Sequence, residues 1–126
     1  MALTILKLTP IHCVAKVTGA GATTITLATD LLVSGRQTAS TPTVNIGCIH
    51  FAIPGSTEAT IARNSVVGWR LVGNYAFDFN GFTDNANNTS DIVVTLPSGG
   101  GTVILELVKT GGYGDVQQSN AIVGVG

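Results

Sequence analysis

Two short pairs of metal-type residues open the chemistry of this chain: His12 beside Cys13, and Cys48 two positions before His50. Four such ligands match the number a tetrahedral zinc takes. Their spacing works against them. Successive residues of an extended strand point to opposite faces, so His12 and Cys13 diverge while Cys48 and His50 agree. At most three can converge. Each cysteine also lies in an apolar, strand-like run, and free cysteine is among the most buried residue types. The set reads as two reduced core cysteines and two surface or satisfied histidines, with no metal and no cofactor assigned. Two cysteines are too few for a small secreted disulfide scaffold, which points to a chain made in a cytosol.

Other candidate chemistry is weaker. Asp84-Asn85-Ala86-Asn87-Asn88-Thr89-Ser90-Asp91 is rich in the oxygen ligands calcium takes, yet it lacks the acidic ligand and Gly of an EF-hand at their spacings. Asn and Asp also bond their own backbone in turns, which explains the loop without an ion. Asn87 and Asn88 each begin a glycosylation-type triplet, relevant only to a secreted eukaryotic protein. Gly19 and Gly21 supply two glycines of a dinucleotide fingerprint without the third, and they lead into a strand rather than a helix. No serine sits in a nucleophile elbow. The two histidines have no sequence-visible partner, and Asp78 and Asp91 flank turns where Asp is common. No enzyme is expected. Trp69, Tyr75 and Tyr113 would suit a sugar-stacking platform or an interface anchor. Trp69 alternates with Val67 and Leu71, which favours core or interface.

The elements that must position these residues are strands. Leu3 to Leu8, Cys13 to Thr18 and Thr23 to Leu27 are extended segments, and the last two read as a hairpin across Gly19-Ala20-Gly21. Ala28 to Ser34 is the one stretch with helical signals, with Thr29 as cap, Asp30 in the first turn and Gly35 at the end. It is too short to stand alone, and a turn serves equally. Arg36 to Thr43 reads as a polar contact loop. Val44 to Ile53 carries apolar residues on both faces, with Val44, Ile46 and Cys48 on one and Ile49, Phe51 and Ile53 on the other. That implies a strand central to a sandwich or covered by a neighbouring chain. Thr57 to Ala62 and Val66 to Val72 follow, then Tyr75 to Phe79. Asn80-Gly81 suits a tight turn with two positive φ angles. The segments Asp91 to Leu96 and Thr102 to Lys109 flank the Gly-rich turn Ser98 to Gly101, and Gly111 to Gly114 is expected to break the last strand. About nine strands at 8–12-residue spacing predict an all-β antiparallel sandwich, jelly-roll-like, with extended termini. Residues 1–114 are expected to form the sandwich and 115–126 an apolar C-terminal arm that adds to a neighbour's sheet edge or, in the alternative, folds back on its own domain.

Bulk properties narrow the partners. The 126 residues make one domain, 44% hydrophobic, with a formal net charge of −1. Charged residues are only 10% of the chain, against roughly 25% in an average globular protein. Such a weakly charged, Thr- and Asn-rich exterior repels its own copies little and suits a molecule packed against others. Three Lys and three Arg, unclustered, do not make a nucleic-acid footprint. No apolar run approaches a membrane span, and Lys7 with Thr9-Pro10 stands where an export signal would need its apolar segment.

Four segments carry a resemblance. Thr60-Ile61-Ala62-Arg63-Asn64-Ser65, Asp78-Phe79-Asn80-Gly81-Phe82, Asn88 to Thr95, and Gly101 to Lys109 with Gly112-Tyr113 resemble small virion proteins of tailed bacteriophages, as in phages of aquatic bacteria. The likeness covers roughly residues 57–113, with a weaker match at Leu3 to Leu8 and Asp30-Leu31-Leu32. It carries no catalytic residues. It implies a capsid decoration, or cement, protein on the exterior of the head, made in the host cytoplasm. Such a protein is expected to form a homotrimer and bind the major capsid protein across neighbouring capsomers. Two alternatives stand beside it. One is a receptor- or glycan-binding sandwich of a tail fibre or other appendage, which predicts solvent-facing aromatics near residues 83–90. The other is a cellular β-sandwich oligomer. The expected interface residues are Leu3, Ile5, Arg36, Gln37, Pro42, Trp69, Tyr113, Ala121, Ile122 and Val123.

Overall fold

The structure, a computed structural model, describes residues 2–115. Alternating apolar residues and frequent turn formers give nine strands: β1 Ala2–Leu8, β2 His12–Thr18, β3 Gly21–Ile25, β4 Gln37–Ala52, β5 Ala59–Arg63, β6 Val66–Leu71, β7 Asn74–Asp78, β8 Ile92–Leu96 and β9 Thr102–Asp115. They form two antiparallel sheets, ordered β1-β2-β9-β4-β7 and β3-β8-β5-β6. The chain is an all-β sandwich. Strand pairs nest: β2 with β9, β3 with β8, β4 with β7, β5 with β6. The topology is that of one long hairpin, β2–β5 against β6–β9, wrapped around a common core. Among the described residues there is no helix, hence none long and apolar enough to cross a membrane.

The core lies between the sheets. Ile25, Leu27, Leu31, Ile46, Ile49 and Leu105 are among its fully buried side chains, each contributing about 1.5–3 kcal/mol relative to exposure. Edge strands β6 and β7 flank one side of the sandwich. There Trp69, Phe77 and Phe79 pack against the core, with ring centroids 5.4 Å apart for Trp69–Phe77 and 5.3 Å for Trp69–Phe79.

Five local expectations are corrected by tertiary pairing. Cys13 to Thr18 and Thr23 to Leu27 do not form a hairpin. Strand β2 pairs with β1 and β9, while β3 crosses to the other sheet and pairs with β8. The helical signals of Ala28 to Ser34 yield turns. Asp30 serves there by accepting the Thr26 N–H at 2.8 Å, an Asx-type bond that competes with helix. The polar segment from Gln37 to Thr43 is not a loop but the first half of β4, paired with the far end of β9. Its partner runs through Gly111 to Gly114 without breaking. Gly112, at φ 78°, lies so close to Thr41 and Pro42 that a methyl group would overlap their backbone. The glycines here permit close approach of strands rather than ending one.

The fifth correction concerns Val44 to Ile53, which is not a strand with two apolar faces. Its register against β9 slips by one residue between Ile46 and Cys48. This bulge reverses the alternation, so Val44, Ile46, Ile49, Phe51 and Ile53 all enter the core. Cys48 leaves the core cluster and joins His50 on the outer face. The described strand β9 reaches Asp115, one residue past the expected domain boundary. The arm, with Ala121, Ile122 and Val123, lies outside the described residues.

Candidate functional site

Three polar or aromatic assemblies deserve comparison as sites. The first is the outer face of the five-stranded sheet. Cys48 pairs with Glu106 of β9 and with Asp78 of β7, so all three side chains share that face. His50 follows two residues along β4. His50 Nε2 lies 3.1 Å from Cys48 Sγ and 3.3 Å from Glu106 Oε2. The Cys48, His50 and Glu106 ligand atoms all fall within 4.8 Å of one another. They line a groove of about 580 Å³ together with Lys7, His12, Asp78 and Phe82. Burial pushes the Cys48 thiol above its ordinary pKa, and Glu106 and Asp78 push it further. Cys13, by contrast, faces the core and is also a free thiol, with its pKa raised to about 11 by burial.

The second assembly is a pair of buried cations with no carboxylate partner among the described residues. Arg63 donates to the carbonyls of Val44 at 2.6 Å, Asn88 at 3.1 Å and Ser90 at 2.8 and 3.0 Å. Lys109 donates to Leu31 O and, at 2.8 Å, to Gln37 Oε1. Its ammonium stands 4.6 Å from the Tyr113 ring centroid, and the Tyr113 hydroxyl donates to Leu27 O at 2.6 Å. Desolvation lowers the pKa of both cations. These networks tie loops to the sandwich ends.

The Asp84–Asp91 loop belongs to this structural class. Asp84 accepts from Trp69 Nε1 at 2.8 Å and from Ala86 N–H at 3.0 Å. Asp91 accepts from Leu27 N–H at 2.9 Å. The Asn88 and Ser90 carbonyls face Arg63. Oxygens that calcium would need are engaged by donors beside a guanidinium.

The third assembly is the β6–β7 edge. Tyr75 is 65% and Phe82 79% exposed, and Val66, Val67 and Val72 are exposed with them. Asn80 and Gly81, at φ 54° and 88°, form the tight turn the sequence predicts and swing Phe82 outward. Phe82, Phe79, Trp69, Thr83 and Asp84 line a shallow concavity. One face of Trp69 is stacked by Phe79 at 18°, and Phe77 also leans on the indole.

The expected interface residues are scattered. Leu3 and Ile5 on edge strand β1 are half-buried against the core. Arg36 is exposed and Pro42 half-buried. Gln37 is buried, donating to Pro10 O at 3.0 Å. Trp69 and Tyr113 are half-buried and hydrogen-bonded within the chain. Phe82 and Glu106 are the residues missed as site components. Glu106 is the lone charge in the alternation Val103 to Leu107 and so points outward, a readable signal; its position opposite Cys48 is not readable.

No protein-family model matches the chain, and neither a curated protein nor a solved structure matches it. The class that fold and surface define is a two-sheet β-sandwich with an aromatic edge.

Proposed function

We propose that this chain is a virion-exterior binding protein, a capsid decoration protein that docks on the head and stabilises contacts between capsomers. The observation that carries this reading is the β6–β7 edge. Two strand edges that are unpaired among the described residues stand beside exposed Tyr75, Phe82 and Val72, in a molecule with few charges to keep copies apart. Exposed apolar groups of this size at a sheet edge mark interaction surfaces. The nested strand pairing fits a jelly-roll reading of the sandwich, an architecture used by viral capsid and lectin domains. Fold-level analogy alone does not assign a role; the edge and the sequence resemblance add to it.

One observation favours the appendage reading. Phe82 and Phe79 give the solvent-facing aromatics near residues 83–90 that a glycan-binding protein would carry. Against it, Trp69 spends at least one ring face on Phe79 and its N–H on Asp84, which leaves less stacking surface for a sugar.

The test is the solution mass of the purified chain, followed by its addition to undecorated phage heads. A trimer that binds heads, and loses binding in Tyr75→Ser and Phe82→Ser, supports decoration. A monomer that ignores heads and is retained on a glycan array overturns it in favour of the appendage.

A further inference from the structure

We propose that Cys48, His50 and Glu106 form a binding site for one borderline divalent cation, zinc, on the outer face of the five-stranded sheet. The inference stands on its own geometry and does not depend on the decoration reading. Thiolate, imidazole and carboxylate are the three donor types zinc accepts. With ordinary zinc–ligand bond lengths, a tetrahedral ion holds its donor atoms roughly 3.3–3.7 Å apart. The two measured edges here are 3.1 and 3.3 Å.

The arrangement is ill suited to a catalytic relay. A nucleophile–base–orienter relay needs Cys and Glu on opposite nitrogens of the imidazole. In this site both lie against Nε2. A hydrogen-bonded cluster is the state that binding must replace: His50 Nε2–H and the Cys48 S–H can each donate to the Glu106 carboxylate. Three donors converging on one point are what a shared central cation requires. The bulge before Cys48 serves this convergence by turning the thiol away from the core and onto the His50 face, a frequent use of bulges next to sites.

Binding displaces the Cys48 proton to solvent as the sulfur–zinc bond forms, and His50 binds as neutral imidazole. Asp78 stands beside Cys48 as an outer carboxylate; its Oδ1 already accepts the Asn80 N–H at 2.9 Å. The groove leaves the fourth position open to water. Lys7 and His12 also line the groove.

The experiment uses the full chain, reduced and stripped with chelator, titrated with Co²⁺ and then with Zn²⁺ in competition with a chromophoric chelator. The expected result is one equivalent per chain, with a thiolate-to-cobalt charge-transfer absorption. That absorption is lost in Cys48→Ser and kept in Cys13→Ala. Affinity for Zn²⁺ falls by about tenfold or more in His50→Gln and in Glu106→Gln, the scale that even outer partners of a metal carry, and is unchanged in His12→Gln. Absence of stoichiometric binding overturns the proposal, as does a charge-transfer band that persists in Cys48→Ser. So does an affinity indifferent to both His50→Gln and Glu106→Gln. His50 and Glu106 are about half exposed, so these two variants keep the test decisive even if Cys48→Ser folds poorly.

Discussion

Two polar clusters on opposite surfaces of β4 and β9 obey different rules. Around Arg63 and Lys109 the chain buries two cations and surrounds them with backbone carbonyls, so that every contact is a donor meeting an acceptor. Around His50 it gathers a thiol and a carboxylate against a single nitrogen on a half-exposed face. The first cluster is satisfied and structural. The second brings three donor types that zinc accepts to an accessible groove, and that separates a ligand-shaped site from a scaffold. Burial alone does not make the distinction, since Cys48 and Arg63 are both nearly inaccessible.

The sharpest way to break this comparison is to remove the structural cation. Arg63→Met should destabilise the fold by on the order of 3 kcal/mol, because it leaves buried carbonyls of Val44 and Ser90 without their donor; urea unfolding measures it. A loss below ~1 kcal/mol would mean that water or repacking satisfies those carbonyls and that the network is dispensable.

Alkaline pH gives the next effect. Cys13 is held neutral by burial, with a folded pKa of about 11 against 9.0 for the free thiol. Tyr113 is raised to about 12, chiefly by burial. A raised folded pKa gives stability that is complete below the unfolded value and is lost as pH rises through the folded one. Stability should therefore fall from about pH 9 upward, by up to about 1.4 kcal/mol per pH unit for one proton. Lys109, lowered by desolvation, runs the opposite way and offsets part of the loss near its ordinary value of 10.5. Urea midpoints between pH 8 and 11 should decline less steeply in Cys13→Ala than in the parent. Equal slopes would remove Cys13 as the cause.

Tyr113→Phe should cost about 1 kcal/mol, the worth of one hydrogen bond to Leu27 O, read as a shift in thermal midpoint. At the bottom of the scale, Glu106→Gln and His50→Gln in chelator should change stability by no more than ~0.5 kcal/mol. If either costs as much as Arg63→Met, the outer-face cluster is a structural network after all, and the contrast between the two regions collapses.

Legibility followed range. Alternation of Cys13, Ala15 and Val17, or of Tyr75, Phe77 and Phe79, exposes a strand within a few residues of context. Asn80-Gly81 announces its turn because few other dipeptides tolerate two positive φ angles. Partner choice is not local. Nothing in Gly19-Ala20-Gly21 says whether the chain turns back on itself or crosses to another sheet, and the crossing occurs because β2 finds β9 some ninety residues later. Likewise Gly111 to Gly114 look like a terminator until the opposing Thr41-Pro42 backbone is in place, which only glycine can approach so closely.

By itself, the sequence determined the class of the fold, the number of strands and the agreement of Cys48 with His50 on one face, all consequences of the two-residue period of extended backbone. Tertiary structure decided the rest. It chose strand order, placed the bulge that returns Val44 and Ile46 to the same core as Ile49, buried Arg63 and Lys109 among carbonyls, and set Glu106 opposite Cys48. Each of these depends on the register between segments far apart in the chain, and a shift of one residue in that register would send every side chain to the other face.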